Sequence, residues 1–113
     1  MKKKSAPPKT LPPAALDLIA ARFRALGEPM RLRLLNALMS GEKNVGELVE
    51  ATGANQANVS KHLSQLASAG MVSRRREGAN VIYFIADETI FELCRLMCAK
   101  LQKEFGESAA RFR

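Results

Sequence analysis

The chain has 113 residues, 47% of them hydrophobic and 26% charged, which describes one soluble globular domain and excludes a large multidomain enzyme. Its formal net charge of +7 puts polyanions first among partners, either nucleic acid or an anionic membrane surface. Two cysteines, Cys94 and Cys98, do not form the disulfide framework of a secreted mini-protein. Prolines stand where a signal peptide needs an apolar run, and no segment reaches the ~18 to 20 apolar residues of a membrane span. The expectation is a cytoplasmic protein, neither exported nor embedded.

Residues 1–13 carry Lys2, Lys3, Lys4 and Lys9 with no acid and four prolines, and are expected to be a flexible basic arm. Leu16, Ile19, Phe23 and Leu26 then recur at helical spacing, giving a first helix from about Pro13 to Leu26 that stops at Gly27. Pro29 opens a second helix whose apolar stripe is Leu32, Leu35, Leu38 and Met39, ending at Ser40-Gly41. Asn44 followed three positions later by Glu47 is a capping-box pattern, so a short third helix runs from about Val45 to Thr52. After Gly53-Ala54, Asn55 caps a fourth helix that turns Val59, Leu63, Leu66 and Ala67 inward and closes at Ala69-Gly70. Two helices joined by a short turn containing Gly, the second longer, outline a helix-turn-helix. Residues 71–77 and 81–85 are β-prone around Gly78-Ala79-Asn80, a hairpin. Asp87 caps a last helix through about Phe105 that is apolar on more than one side, one side for the core and another for a partner chain.

Five helices with a two-stranded β-hairpin between the fourth and fifth make a mainly α, winged helix-turn-helix domain over residues 14–105, with 106–113 as a short tail. On the fourth helix the positions not needed for the core are Gln56, Asn58, Ser60, Lys61, Ser64 and Gln65. Amides pair bidentately with adenine, Lys reaches guanine or phosphate, and the segment from Asn55 to Arg76 contains no acid. An ordinary solvated helix face would carry more Glu/Lys pairs, so these residues suit the major groove of double-stranded DNA. Arg74, Arg75 and Arg76 straddle both faces of a strand, so at most some of them reach phosphate; Arg75 and Arg76 are the candidates.

The blocks Leu26-Gly27-Glu28-Pro29-Met30-Arg31-Leu32, Asn55-Gln56-Ala57-Asn58-Val59-Ser60-Lys61-His62-Leu63, Ala69-Gly70-Met71-Val72 and Arg75-Arg76-Glu77-Gly78, in this order, resemble the ArsR/SmtB family of bacterial winged-helix repressors. The resemblance implies a homodimer joined through the first and last helices, with each fourth helix in a major groove of a palindromic operator and an inducer that releases the DNA. It carries the family's recognition-helix contacts onto Gln56, Asn58, Ser60 and Lys61. His62 also matches the pattern, and packing at the helix edge with a local hydrogen bond is the preferred reading over any ligand role.

The chain departs from the family's metal sites. Asn44 and Gly46 stand where the arsenic-type cysteines of the third helix would be, and no histidine follows Asp87 for the zinc-type site. Cys94 and Cys98 remain, four residues apart on one face of the last helix with about 6 Å of axial rise between them. Such a pair can chelate one soft ion, so a thiophilic metal or metalloid such as arsenite is the expected inducer, bound at Cys94 and Cys98. Against it stands a plain reading in which both cysteines are small buried apolar residues. The alternatives are a winged-helix regulator with no metal site, redox-responsive or constitutive, or a winged helix that binds protein. A thiol enzyme is disfavoured by the lack of a Cys-x-x-Cys pair or a catalytic acid/base constellation.

Overall fold

The computed structural model describes residues 10–111, with side chains through 106. The expected basic arm falls largely on residues 1–9, outside the described residues. The elements follow the order α1 (Pro13–Leu26), α2 (Pro29–Met39), β1 (Lys43–Asn44), α3 (Val45–Thr52), α4 (Gln56–Ser68), β2 (Val72–Glu77), β3 (Asn80–Ile85) and α5 (Glu88–Arg111). This is the winged helix-turn-helix architecture, with β2 and β3 as the wing.

Local chemistry sets the helix boundaries. Pro13 and Pro29 occupy first-turn positions of α1 and α2, where a missing N–H costs nothing and φ is already helical. Glu28 caps α2 by accepting from the Arg31 backbone N–H at 2.9 Å. At α3 the reciprocal capping box forms: Glu47 N–H donates to Asn44 Oδ1 and Asn44 N–H to Glu47 Oε1, both at 2.8 Å. Gly53 ends α3 with φ of 74°, a left-handed geometry that suits glycine and turns the chain sharply into α4. Asn55 Oδ1 then accepts from the Asn58 N–H at 2.8 Å to start α4.

The sheet has three strands in the order β1-β3-β2, all antiparallel. Strand β1 is absent from the sequence reading because two residues, Lys43 and Asn44, carry no β signal of their own and become a strand only by pairing with Tyr83 and Ile82. The hairpin turns at Gly78-Ala79 between the paired Glu77 and Asn80, so β3 starts one residue earlier than expected.

The core lies where α2, α3, α4 and the base of the wing meet. Leu34, Leu35, Leu48, Val59, Leu63, Leu66 and Met71 are fully buried there. Leu32, assigned to the core stripe of α2, instead stays 45% exposed, and Leu34 takes the inward position. Helix α5 touches this core through Ile90 and Cys94 and continues to Arg111, beyond the expected end at Phe105. Leu16, Leu18 and Phe23 of α1 and Leu96, Met97 and Phe105 of α5 remain exposed. Isolated exposed apolar residues are ordinary, but this density on two helices marks a face that is incomplete in the single chain. Among the described residues no helix is long and apolar enough to cross a membrane.

Candidate nucleic-acid interface

Helix α4 separates its residues cleanly into two faces. Val59, His62, Leu63 and Leu66 are buried, whereas Gln56, Ser60, Lys61 and Ser64 are exposed. Gln56, Ser60 and Ser64 follow each other at i, i+4 spacing and form one polar ridge, with Lys61 beside it. Asn58 is half-buried. Its side chain is therefore less available than the sequence suggests.

The wing arginines divide by strand parity. Arg75 lies over the Phe84 ring, 5.6 Å from its centroid, and is held by two acids: Nη2 donates to Glu42 Oε1 at 2.6 Å, and Nε donates to Glu77 Oε2 at 2.7 Å. These hydrogen bonds, the Glu42 one first, hold the guanidinium even more firmly protonated and push the Glu42 carboxyl below the usual carboxylate range. Arg76 is exposed, and among the described residues no acid lies within ion-pair distance of it. Arg74 donates to the Tyr83 hydroxyl at 3.4 Å across the strand pair. Sequence reasoning placed Arg74 without a role. The signal that distinguishes it is its register opposite Tyr83, the buried tyrosine that turns this face of the wing toward α4.

His62 is 8% exposed, and its Nδ1 lies 3.9 Å from Glu28 Oε1, too far for a hydrogen bond. Among the described residues Nδ1 has no hydrogen-bond partner. Its place is inside the α2–α4 contact, as the packing reading expects, whereas the local hydrogen bond expected with it is not made by Nδ1.

The expected thiophilic metal or metalloid at Cys94 and Cys98, arsenite included, is corrected by the structure. Among the described residues no group of three or more His, Cys, Asp or Glu side chains is placed to hold a metal ion. The physical reason is the setting of the pair. Cys94 packs against the core cluster, and both cysteines line an apolar trough of about 260 Å³ with Leu32, Met39, Met97 and Leu101. Burial first, and the neighbouring Cys98 second, push the Cys94 thiol up, which disfavours the thiolate a soft ion needs. His62, the chain's single histidine, is on α4 against Glu28 rather than beside the thiols.

The helix pair α3–α4, the polar acid-free ridge and the hairpin beside it define a winged helix-turn-helix of the DNA-binding kind. A family model for bacterial regulatory proteins of the arsR family matches residues 28–74. The "Probable mercury resistance operon repressor" of Streptomyces lividans is 42% identical over 80 residues, covering 71% of this chain and 64% of that protein. The uncharacterized HTH-type transcriptional regulator Rv0081 of Mycobacterium tuberculosis is 40% identical over 94 residues, 82% of each chain. Among solved structures, the homodimeric winged helix-turn-helix DNA-binding domain of a possible ArsR-family transcriptional regulator from Mycobacterium bovis superposes with a TM-score of 0.75. It is 35% identical and covers 83% of this chain and 87% of that one. The chain belongs to the ArsR/SmtB family of winged helix-turn-helix regulators. It spans just under two thirds of the length of the Streptomyces repressor.

Proposed function

We propose that the protein is a transcriptional repressor that binds a palindromic DNA operator as a homodimer, with no metal step in its action and no catalytic role. The observation that carries this reading is the exposed, acid-free face of α4, where Gln56, Ser60, Lys61 and Ser64 stand beside the wing. Amide and hydroxyl groups on that ridge match base edges, with half-buried Asn58 contributing less, and Lys61 serves guanine or phosphate. Arg76 reaches phosphate from the wing. Arg75 joins it only by exchanging Glu42 and Glu77 for a phosphate oxygen.

The dimer reading rests on the exposed apolar residues of α1 and α5, which pair naturally with the same surfaces of a second copy across a two-fold axis. The homodimeric domain from Mycobacterium bovis and the operon repressor from Streptomyces lividans support the same assignment by similarity. Selection of duplexes from a random pool by the purified protein, followed by footprinting, tests it. The expected result is two protected half-sites about 10 to 10.5 bp apart or a multiple of that. A monomer in solution that protects a single half-site overturns it.

A further inference from the structure

Between the C-terminal half of α4 and strand β2 lies an open cleft of about 390 Å³, lined by Ser64 and Ser68 from the helix and by Arg74 and Tyr83 from the wing, with buried Leu63 and Val72 at its base. Among the described residues no acid lines this cleft, and none lies within ion-pair distance of Arg74. That sets Arg74 apart from Arg75, its neighbour on the opposite face of β2, whose charge is already matched by Glu42 and Glu77. Tyr83 accepts a hydrogen bond from Arg74 Nη1, which keeps the guanidinium at the wing side of the cleft and leaves the rest of its donor fork unused.

We propose that this cleft seats one backbone phosphate of the bound duplex in each subunit, with Arg74 supplying the charge and Ser68 a hydroxyl donor. The inference rests on the DNA-binding reading above and adds to it a site and two residues outside the base-facing ridge. Its first support is position. Ser68 continues the ridge of Gln56, Ser60 and Ser64 by one more i+4 step, about 18 Å along the axis from Gln56. A recognition helix meets base edges with its N-terminal residues, which leaves the far end of α4 free to approach the sugar-phosphate backbone. The second support is chemistry. A guanidinium fork with a hydroxyl beside it, free of competing carboxylates, matches the oxygens of a phosphodiester, and charge-assisted bonds of this kind are stronger than neutral ones.

The test uses the full chain with the duplex selected above and with a random-sequence duplex, measuring affinity against salt concentration. Each phosphate contact contributes about 0.9 to the slope of log affinity against log salt. Arg74→Ala is expected to weaken binding to both duplexes alike and to flatten the slope by about 0.9 per subunit, while Arg74→Lys retains the slope. Ser68→Ala, at an exposed position away from the core, is expected to weaken both duplexes with the slope unchanged, and it keeps the test decisive if Arg74→Ala disturbs the wing. Neutral methylphosphonate placed at each backbone position in turn should identify one position per half-site that weakens the wild type and has no effect on Arg74→Ala. If the wild type binds with a salt-dependent slope but Arg74→Ala leaves slope and methylphosphonate pattern intact, the cleft assignment fails and the DNA reading stands. If the Arg74→Ala loss depends on one base pair, the residue reads a base and the phosphate assignment fails. A wild type without salt-dependent duplex binding overturns both.

Discussion

Arg31 on α2 donates from Nη1 to Oε1 of Gln65 on α4 at 2.8 Å, joining the start of one helix to the last turn of the other. The same residue's backbone N–H is held by Glu28, and its Nε is buried. Rotation of α4 about its own axis, which decides where Gln56, Ser60 and Ser64 point, is thus restrained by a polar tie as well as by Leu63 and Leu66 in the core. Gln65 belongs to this tie and not to the base-facing ridge.

Gln65→Ala and Gln56→Ala should therefore differ in kind. Loss of the Arg31 partner is expected to cost about 1 kcal/mol of stability, read as a lower denaturation midpoint at constant slope, without altering which base pairs are preferred. Gln56→Ala should leave the midpoint unchanged, cost about 1 to 3 kcal/mol on the selected operator and little on random DNA. Equal losses from Gln56→Ala on both duplexes would remove it from base reading.

Much of this arrangement was legible in the sequence, for reasons that can be traced to single residues. The caps at Asn44 and Asn55 and the first-turn proline Pro29 act locally, within one helical turn, so their signals survive without tertiary information. The acid-free ridge of α4 is equally a property of one segment. What escaped were non-local relationships: Glu42 reaching Arg75 over 33 positions, Arg31 reaching Gln65 over 34, and β1 existing only through β3. The exchange of Leu32 for Leu34 in the core has the same origin, since period alone cannot say which edge of a wide apolar stripe meets α4. The cysteine pair misled because i, i+4 spacing describes a chelating geometry and a buried helix face equally well. Only the surrounding side chains distinguish the two.

Glu42→Gln is expected to strengthen DNA binding. The substitution removes a negative charge beside the wing and one of the two acids that occupy Arg75, an exposed pair of the kind that contributes about 1 kcal/mol or less to stability. Affinity for random duplex should rise and the salt slope should steepen, with little change in thermal stability. Unchanged affinity and slope would mean that Arg75 remains occupied by Glu77 or stands away from the backbone.

Acid stability provides a separate check on the α2 cap. The Arg31 backbone N–H, foremost among its neighbours, holds the Glu28 carboxyl below the usual carboxylate range. A carboxylate with a lowered pKa in the folded state stabilises the fold fully above its unfolded pKa, and that stabilisation is lost as pH falls through the folded value. Glu42, beside Arg75, and Glu92, beside Arg95, shift in the same direction. Denaturation midpoints should thus decline as pH drops below the ordinary carboxylate pKa of 4.5. Glu28→Gln, which keeps a carbonyl acceptor for the cap but cannot titrate, should show a shallower decline. Parallel curves for the two proteins would show that Glu28 titrates alike in the folded and unfolded chains.

Thiophilic ions should leave the DNA complex undisturbed. With no third donor near Cys94 and Cys98 among the described residues, operator affinity in the presence of arsenite or cadmium is expected to match that without them, for the wild type and for the Cys94→Ser, Cys98→Ser double variant alike. The raised Cys94 thiol should also alkylate slowly at neutral pH and faster as pH rises, since only the thiolate reacts. Release of DNA by these ions from the wild type, absent in the double variant, would restore a sensing role to the pair.

The exposed apolar residues of α1 and α5 lead to the last prediction. Phe23 is 59% exposed, Leu96 58% and Phe105 67%, although each is a residue whose burial yields roughly 1.5 to 3 kcal/mol. None of them is needed by the core, which closes on Leu34, Leu35, Leu48, Val59, Leu63 and Leu66 without them. A charge placed there should consequently spare the fold of the single chain while opposing association. Leu96→Glu is expected to convert a dimer to a monomer in sedimentation equilibrium, and to retain the helical circular dichroism of the wild type. Because two linked half-site contacts act at an effective concentration far above that of free monomers, the monomer should lose most of its affinity for a two-half-site duplex and little for a single half-site. Retention of the dimer by Leu96→Glu and by Phe23→Glu together would place the interface elsewhere. A wild-type chain that sediments as a monomer throughout the concentration range needed for DNA binding would remove the two-fold reading altogether.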